Sequence, residues 1–126
     1  MRIIGSLQDK IFMQRQFDES LGEAIDETLS SLGVPIKNTI YFKLENSFNL
    51  PKHEIPKRLG EFTIFLNKTF GLGASVFEIR CMQHLNSKIY VNNQKDKEEW
   101  SVSKWITQGM TFEKYVSSAR NNYCGL

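Results

Sequence analysis

The 126-residue sequence contains few of the features that indicate a special environment. Its two cysteines are too few for a disulfide framework, which favours a reducing compartment. No run of about 18 apolar residues occurs, so we expect no membrane-spanning helix. The first residues become polar at Gln8, Asp9 and Lys10, which is not typical of a signal peptide. These absences predict a cytoplasmic protein.

The net charge of +2 is also small, and by itself it does not imply a nucleic-acid partner. The distribution of charge is less even. Residues 1–34 carry three basic and six acidic side chains, whereas residues 35–90 carry eight basic and four acidic ones. We expect this asymmetry to let an acidic first helix pack beside basic neighbours.

The remaining composition is typical of a globular protein. Hydrophobic residues make up 40% of the chain, charged residues make up 24%, and there are nine phenylalanines against three prolines. A chain of this length buries about two-thirds of the surface that its unfolded form exposes, so it can hold a core without disulfides or metals.

Hydrophobic periodicity predicts helices along most of the chain. A short amphipathic helix is possible at residues 3–13, and Gly33 followed by Pro35 marks the boundary between the first two long helices. Residues 96–107 read as a helix that opens on a capping box, although a strand is an alternative, and Thr111 can cap a last helix. The main helices are predicted at about 16–32, 35–48, 56 or 59 to 70, and 74–90.

We therefore predict an all-α fold, a compact bundle or orthogonal array of four to six helices. Residues 74–90 are expected to form the central helix, because Val76 and Ile79 lie outside its main apolar face and make it apolar nearly all round. Glu78 falls within the apolar arc, where an ionised carboxylate needs a partner. The predicted organisation is an N-terminal arm or short helix at 1–15, a four-helix core at 16–90 and a C-terminal helical extension at 91–126.

No motif predicts a catalytic, cofactor or metal site. Cys81 and His84 are one helical turn apart, but one such pair does not make a metal site. Neither cysteine has the accessible, electropositive surroundings of a nucleophile. The acidic residues Glu19, Glu23 and Glu27 lie opposite the apolar stripe of their helix and are expected to be solvated. We predict that the protein is not an enzyme.

The densest group of basic residues lies between the second and third predicted helices and at the end of the third. A recognition helix that begins with such residues can dock on a nucleic acid. A nucleic-acid-binding regulatory factor is therefore the alternative function, and its candidate residues are Lys52, His53, Lys57, Arg58 and Lys68.

Residues 25–89 resemble a small helical output domain of archaeal signalling proteins, the Nitrosopumilus-type output domain. The resembling segments are 25–33 (IDETLSSLG), 40–45 (IYFKLE), 54–56 (EIP), 61–62 (EF) and 70–71 (FG), with Glu78 and Leu85 in the last helix. The resemblance implies an archaeal, intracellular, non-enzymatic module that passes a signal to a partner. It supplies no catalytic residues.

The pattern and the resemblance together favour a protein-interaction or regulatory module, or a subunit of a larger assembly. The expected partner is another protein or further copies of the same chain. Aromatic side chains supply much of the binding energy when they lie on a surface. Packing in the chain's own core is the alternative for each of them. The candidate partner-binding residues are Phe42, Trp100, Trp105 and Tyr123.

Overall fold

The computed structural model describes residues 7–89 and 111–124, which form five α-helices and two short 3-10 segments and contain no strand. The predicted all-α class is confirmed. The longer of the two 3-10 segments is Lys52–Lys57, and the name 3-10 segment is kept for it below. The shorter one, Gly71–Gly73, is a turn between two helices. The helices are α1 (Leu7–Ser30), α2 (Val34–Ser47), α3 (Leu59–Phe70), α4 (Ala74–Ile89) and α5 (Phe112–Cys124).

Helix α1 is the longest element and supplies a large part of the core. Side chains three and four positions apart lie on one face of a helix, and here that face is buried. Its buried residues are Phe17, Leu21, Ala24, Ile25, Thr28 and Leu29. The helix begins at Leu7, so residues 7–15 continue it without a break instead of forming a separate short helix. Leu32, predicted on the stripe, lies beyond the helix end and is 39% exposed.

Helix α2 follows a tight connection at Gly33, whose φ of 109° is a conformation that favours glycine. Pro35 lies in the first turn, where its missing N–H costs no helical hydrogen bond. Ile40 and Leu44 are buried against the core as predicted. Ile36, predicted on the same stripe, is exposed because only the later turns of α2 contribute buried residues.

Helices α3 and α4 are joined by the turn Gly71–Gly73. Gly71 adopts φ 57° and ψ −123°, a combination that a residue with a Cβ rarely adopts. Helix α4 contacts α1, α3 and α5, while α1 contacts α2, α4, α5 and the 3-10 segment, so the two helices share the centre of the fold. Val76 is 55% exposed, so the apolar residues outside the main face of α4 are not all buried, although Ile79 packs against the core.

Helix α5 packs against the chain's own core. The amide of Lys114 donates a 3.1 Å hydrogen bond to Thr111 Oγ1, the predicted cap. The Arg120 guanidinium lies 2.6 Å from Asp18 and over the ring of Phe17, which fixes α5 to α1. The buried residues of α5 are Phe112, Tyr115, Val116, Ala119 and Cys124.

The helix or strand predicted at 96–107 lies outside the described residues. Among the helices in residues 7–89 and 111–124, none has both the length and the apolar character needed to cross a membrane.

Two leucine truncations, one expected to destabilise the protein strongly and one expected to have almost no effect, test this core. Leu21 is fully buried in the α1 stripe, and Leu72 at the tip of the α3–α4 turn is 98% exposed. We expect Leu21→Ala to lower the free energy of unfolding by about 2–5 kcal/mol, because it removes buried methyl groups and leaves a cavity. Leu72→Ala, the matched control, should change it by less than about 0.5 kcal/mol. Urea unfolding followed by circular dichroism measures both, and equal losses in the two variants would contradict the packing described.

Candidate functional site

Phe42 is the one predicted contact residue within the described ranges that the fold leaves largely in solvent. It lies on the face of α2 away from the core, and 67% of its surface is exposed. Its neighbours one helical turn away are polar, and Thr39 and Asn46 on either side are exposed. The Asn46 side-chain amide donates a 2.8 Å hydrogen bond to the Phe42 carbonyl, which holds the rim of this surface in place.

The other predicted contact residues are not available in the same way. Tyr123 is half-buried, its ring centre lies 5.8 Å from that of Phe17, and its hydroxyl lies 3.4 Å from Gln16 Oε1. Its ring therefore contributes to the docking of α5. Trp100 and Trp105 lie outside the described residues.

Arg58, in the predicted nucleic-acid set, is committed to contacts within the chain. Its guanidinium makes a two-pronged contact with Glu61 at 2.7 Å and also lies 2.7 Å from Glu54. It donates a further hydrogen bond to the Asn49 carbonyl. The hydrogen bonds from Glu61 and Glu54 raise the pKa of Arg58 above its usual range. A phosphate would have to displace two carboxylates to bind here.

The other four basic residues do not form one surface. Lys52, His53 and Lys57 line one wall of a groove, whereas Lys68, in the last turn of α3, lies over the ring of Phe48. Lys52 is already 3.2 Å from Asp26. The opposite wall of the groove is acidic, and a polyanion entering it would meet charge of its own sign.

This groove, called here the α1 groove, runs between α1 and the 3-10 segment and has a volume of about 1000 Å³. Gly22 and Pro56 approach each other at its floor, where a Cβ on Gly22 would lie 3.9 Å from the proline ring. The acidic residues of the α1 wall are Asp18, Glu19, Glu23, Asp26 and Glu27. The groove was not predicted, because these carboxylates and the facing lysines lie far apart in the sequence and no local pattern connects them.

Asp26 organises one end of the α1 groove. Its carboxylate accepts a 2.8 Å hydrogen bond from the Tyr41 hydroxyl and lies 3.2 Å from Lys52 and 3.6 Å from Lys37. Burial by itself would raise the pKa of Asp26, but the hydrogen bonds and charges of these three residues outweigh it and lower the pKa. Burial and the Asp26 carboxylate raise the pKa of Tyr41. The carboxylate thus connects α1 to α2 and to the 3-10 segment.

The residues considered for metal binding and nucleophilic chemistry are held apart. Burial raises the pKa of Cys81 to about 12, so its thiol is not ionised at neutral pH. His84 Nδ1 lies 3.2 Å from Glu27 on the protein surface. Burial also raises the pKa of Cys124. In the part of the chain that the structure describes, no group of three or more potential ligands is placed to hold a metal ion.

No protein-family model, no curated protein and no solved structure matches this chain. The resemblance to the archaeal output domain therefore depends only on the residues that carry it, and the geometry of the described surfaces has to support any function. Those surfaces are the exposed ring of Phe42 and the α1 groove.

A double-mutant cycle tests the Asp26 contacts. Tyr41→Phe removes one hydrogen bond and should lower the free energy of unfolding by about 1 kcal/mol. Asp26→Asn should cost more, because it leaves Lys37 and Lys52 without their carboxylate. The double variant should lose less free energy of unfolding than the two single variants lose together, since the two residues act on each other.

The Asp26 carboxylate, whose pKa is lowered, stabilises the native state above its unfolded pKa of 3.8, and that contribution is lost as the pH falls through the lower folded value. Urea unfolding at neutral and acidic pH measures both effects, and strictly additive losses would contradict the coupling.

The contribution of Glu78 to stability is expected to have the opposite pH dependence to that of Asp26. Its half-buried position, and next the charge of Glu113 on α5, raise its pKa above the ordinary 4.5. The stabilising form is therefore the protonated one, whose contribution is complete below pH 4.5 and is lost as the pH rises through the folded pKa. We expect Glu78→Gln to have a higher Tm than the wild type at pH 7 and to lack this loss. Glu113→Gln should give a smaller gain in the same direction. If the Tm of Glu78→Gln follows that of the wild type at every pH, burial of the ionised carboxylate costs nothing.

Proposed function

We propose that this chain is a non-enzymatic protein-interaction module and that Phe42 is the side chain a partner recognises. The observation that carries the proposal is that Phe42 is 67% exposed, the largest value among the described phenylalanines, ahead of Phe12 at 56%. The chain buries Phe17, Phe62, Phe65 and Phe112 almost completely. An aromatic ring gains much more free energy from leaving water than a polar side chain does. A partner that covers Phe42 gains this free energy on binding, because the side chain is largely in water in the free chain.

The fold itself has no need of this ring. Ile40 and Leu44 make the buried contact of α2, and Tyr41 supplies the hydrogen bond to α1. Phenylalanine is also a weaker helix former than alanine, so helix propensity does not account for its place here. The contribution of Phe42 is therefore best explained by something outside the folded chain.

The surroundings of Phe42 indicate what the partner has to offer. An apolar anchor encircled by polar residues is the arrangement found at the energetic centre of many protein interfaces. Thr39 and Asn46 provide hydrogen-bonding groups, and the exposed Lys43 and Glu45 provide one charge of each sign. The complementary surface is an apolar pocket wide enough for one ring, with a polar rim.

Two further observations support this class of function. The cysteines are poor nucleophiles, because burial raises the pKa of each thiol. The resemblance over residues 25–89 to an archaeal output domain implies a module that passes a signal to a partner, and the segment 40–45 that carries part of it contains Phe42. We propose a regulatory role in signalling, or as a subunit of a larger assembly, on that basis.

Phe42→Ala tests the proposal without unfolding the protein. The variant should keep its free energy of unfolding within about 0.5 kcal/mol of the wild type, because the ring is exposed. Its affinity for the natural partner should fall by about 2 kcal/mol or more, roughly thirtyfold, if Phe42 is an anchor. The partner is first captured from the source cells with wild-type protein and identified. Calorimetric titration of the purified partner then compares the variants.

Leu72→Ala is the matched control, since Leu72 is an exposed apolar side chain at a different part of the surface. It should bind the purified partner as tightly as the wild type. Equal affinity of Phe42→Ala and wild type would refute the proposed role of Phe42. Equal losses in both variants would indicate general surface hydrophobicity instead of a specific anchor.

A further inference from the structure

The two walls of the α1 groove carry charges of opposite sign. The α1 wall contains five carboxylates, and of the described residues on that wall Arg15 alone is basic. The facing wall contains Lys52 and Lys57 with His53 between them. The groove is less polar where Gly22 faces the Pro56 ring, and Ile11 is exposed at one end. A single strip of surface thus places an acidic stripe beside a basic one.

Most of these charges already have a partner in the same chain. Asp18 is 2.6 Å from Arg120, Asp26 pairs with Lys52 and Lys37, and Glu23 and Glu27 both pair with Lys88. Glu19, Lys57 and Arg15 are the exceptions, and Arg15 lies on the α1 wall one helical turn before Glu19. Within residues 7–89 and 111–124, Glu19 has no cation at ion-pair distance and Lys57 has no carboxylate, and both side chains are exposed.

Contacts across the groove place Glu19 and Lys57 at a similar level along it. Lys52 pairs with Asp26 at one end, and Pro56 lies against Gly22 further along. The 3-10 segment therefore runs antiparallel to α1. The next residue, Lys57, continues toward the preceding turn of α1, where Glu19 lies. Among the described residues, the unpaired carboxylate of Glu19 thus lies on one wall and the unpaired ammonium group of Lys57 on the other, while Arg15 is a second unpaired cation one turn away on the α1 wall.

We propose that the α1 groove is the interface of a homodimer in which Glu19 of each copy pairs with Lys57 of the other. A two-fold axis that runs along the groove, between the two copies, places the acidic wall of each over the basic wall of its mate and keeps each residue at the same level. Such an isologous interface uses the same surface twice and closes on itself. A second copy is the occupant that matches both walls, because a ligand of uniform charge would face like charge on one of them.

The interface also accounts for other features of the strip. Ile11, 48% exposed at one end of the groove, leaves water when a second copy covers it. Lys52 and Asp26 are held in position by their mutual contact and by Tyr41, so the ends of the walls are ordered before a second copy arrives. Because the unused charges are exposed, salt should weaken the association.

Charge reversal at the two positions gives a test with an internal rescue. Sedimentation equilibrium at low salt should show the wild type as a dimer whose dissociation constant rises with added salt. Glu19→Lys alone, or Lys57→Glu alone, creates two like-charge contacts in each dimer and should raise the dissociation constant at least about tenfold. An equimolar mixture of the two single variants should recover the association, because both contacts of the mixed dimer again join a carboxylate to an ammonium group. The double variant should recover it as well.

Matched controls away from both proposed surfaces are Arg80→Glu on α4 and Lys114→Glu on α5, which reverse exposed charges outside the groove. They should dimerise as the wild type does, and circular dichroism with thermal unfolding should show that every variant is folded. A wild type that stays monomeric at low salt and high protein concentration would overturn the proposal. Failure of the mixture to recover the association lost in the single variants would overturn the assigned pairing. Neither result bears on Phe42, which lies outside the groove.

Discussion

The packing of α1 against α4 is the contact on which the rest of the fold depends. The buried stripe of α1 meets Phe77, Cys81 and Leu85 of α4 in a single apolar cluster, and the other helices extend that cluster from its sides. The core is continuous from α1 to α5. A void at its centre would therefore be felt in every helix, since protein interiors are close-packed and relax only in part.

The outer face of α1 has a second structural use, which is electrostatic. Its carboxylates receive cations from four other elements: Lys37 from α2, Lys52 from the 3-10 segment, Lys88 from α4 and Arg120 from α5. The charge asymmetry of the sequence predicted an acidic first helix beside basic neighbours, and the ion pairs confirm it. Exposed pairs of this kind contribute little stability one by one. Asp26 and Asp18 are less exposed and accept short hydrogen bonds, so they help to select how α2 and α5 sit on α1.

Periodicity predicted the elements well because it reports burial on one face. It predicted α2 and α4 to within one residue at each end, and it identified Thr111 as the cap of α5. It was less informative where burial depends on distant contacts. Leu32 and Ile36 have the spacing of core residues but are exposed, because Leu32 lies past a helix end and Ile36 lies on a turn of α2 that contributes no buried residue. Val76, which lies outside the main apolar face of α4, is exposed as well. The 3-10 segment gave no periodic signal, since its six residues are too few to define a face.

Of the two candidate surfaces, one could be predicted from local sequence and the other depends on contacts between distant segments. Phe42 was predictable because a single aromatic residue on the polar side of a helix is visible in the sequence. The α1 groove was not, because it requires knowing that residues 52–57 run antiparallel to residues 19–26. Once that arrangement is known, the charges that form ion pairs within the chain can be distinguished from those that do not. A chain that pairs Asp18, Glu23, Asp26 and Glu27 with its own cations leaves Glu19 and Lys57, with Arg15 beside Glu19, without an ion-pair partner among the described residues, and the proposed dimer rests on that charge pattern. The unpaired charges and the exposed aromatic ring are therefore the separate physical grounds of the two binding proposals, and either proposal can fail without the other.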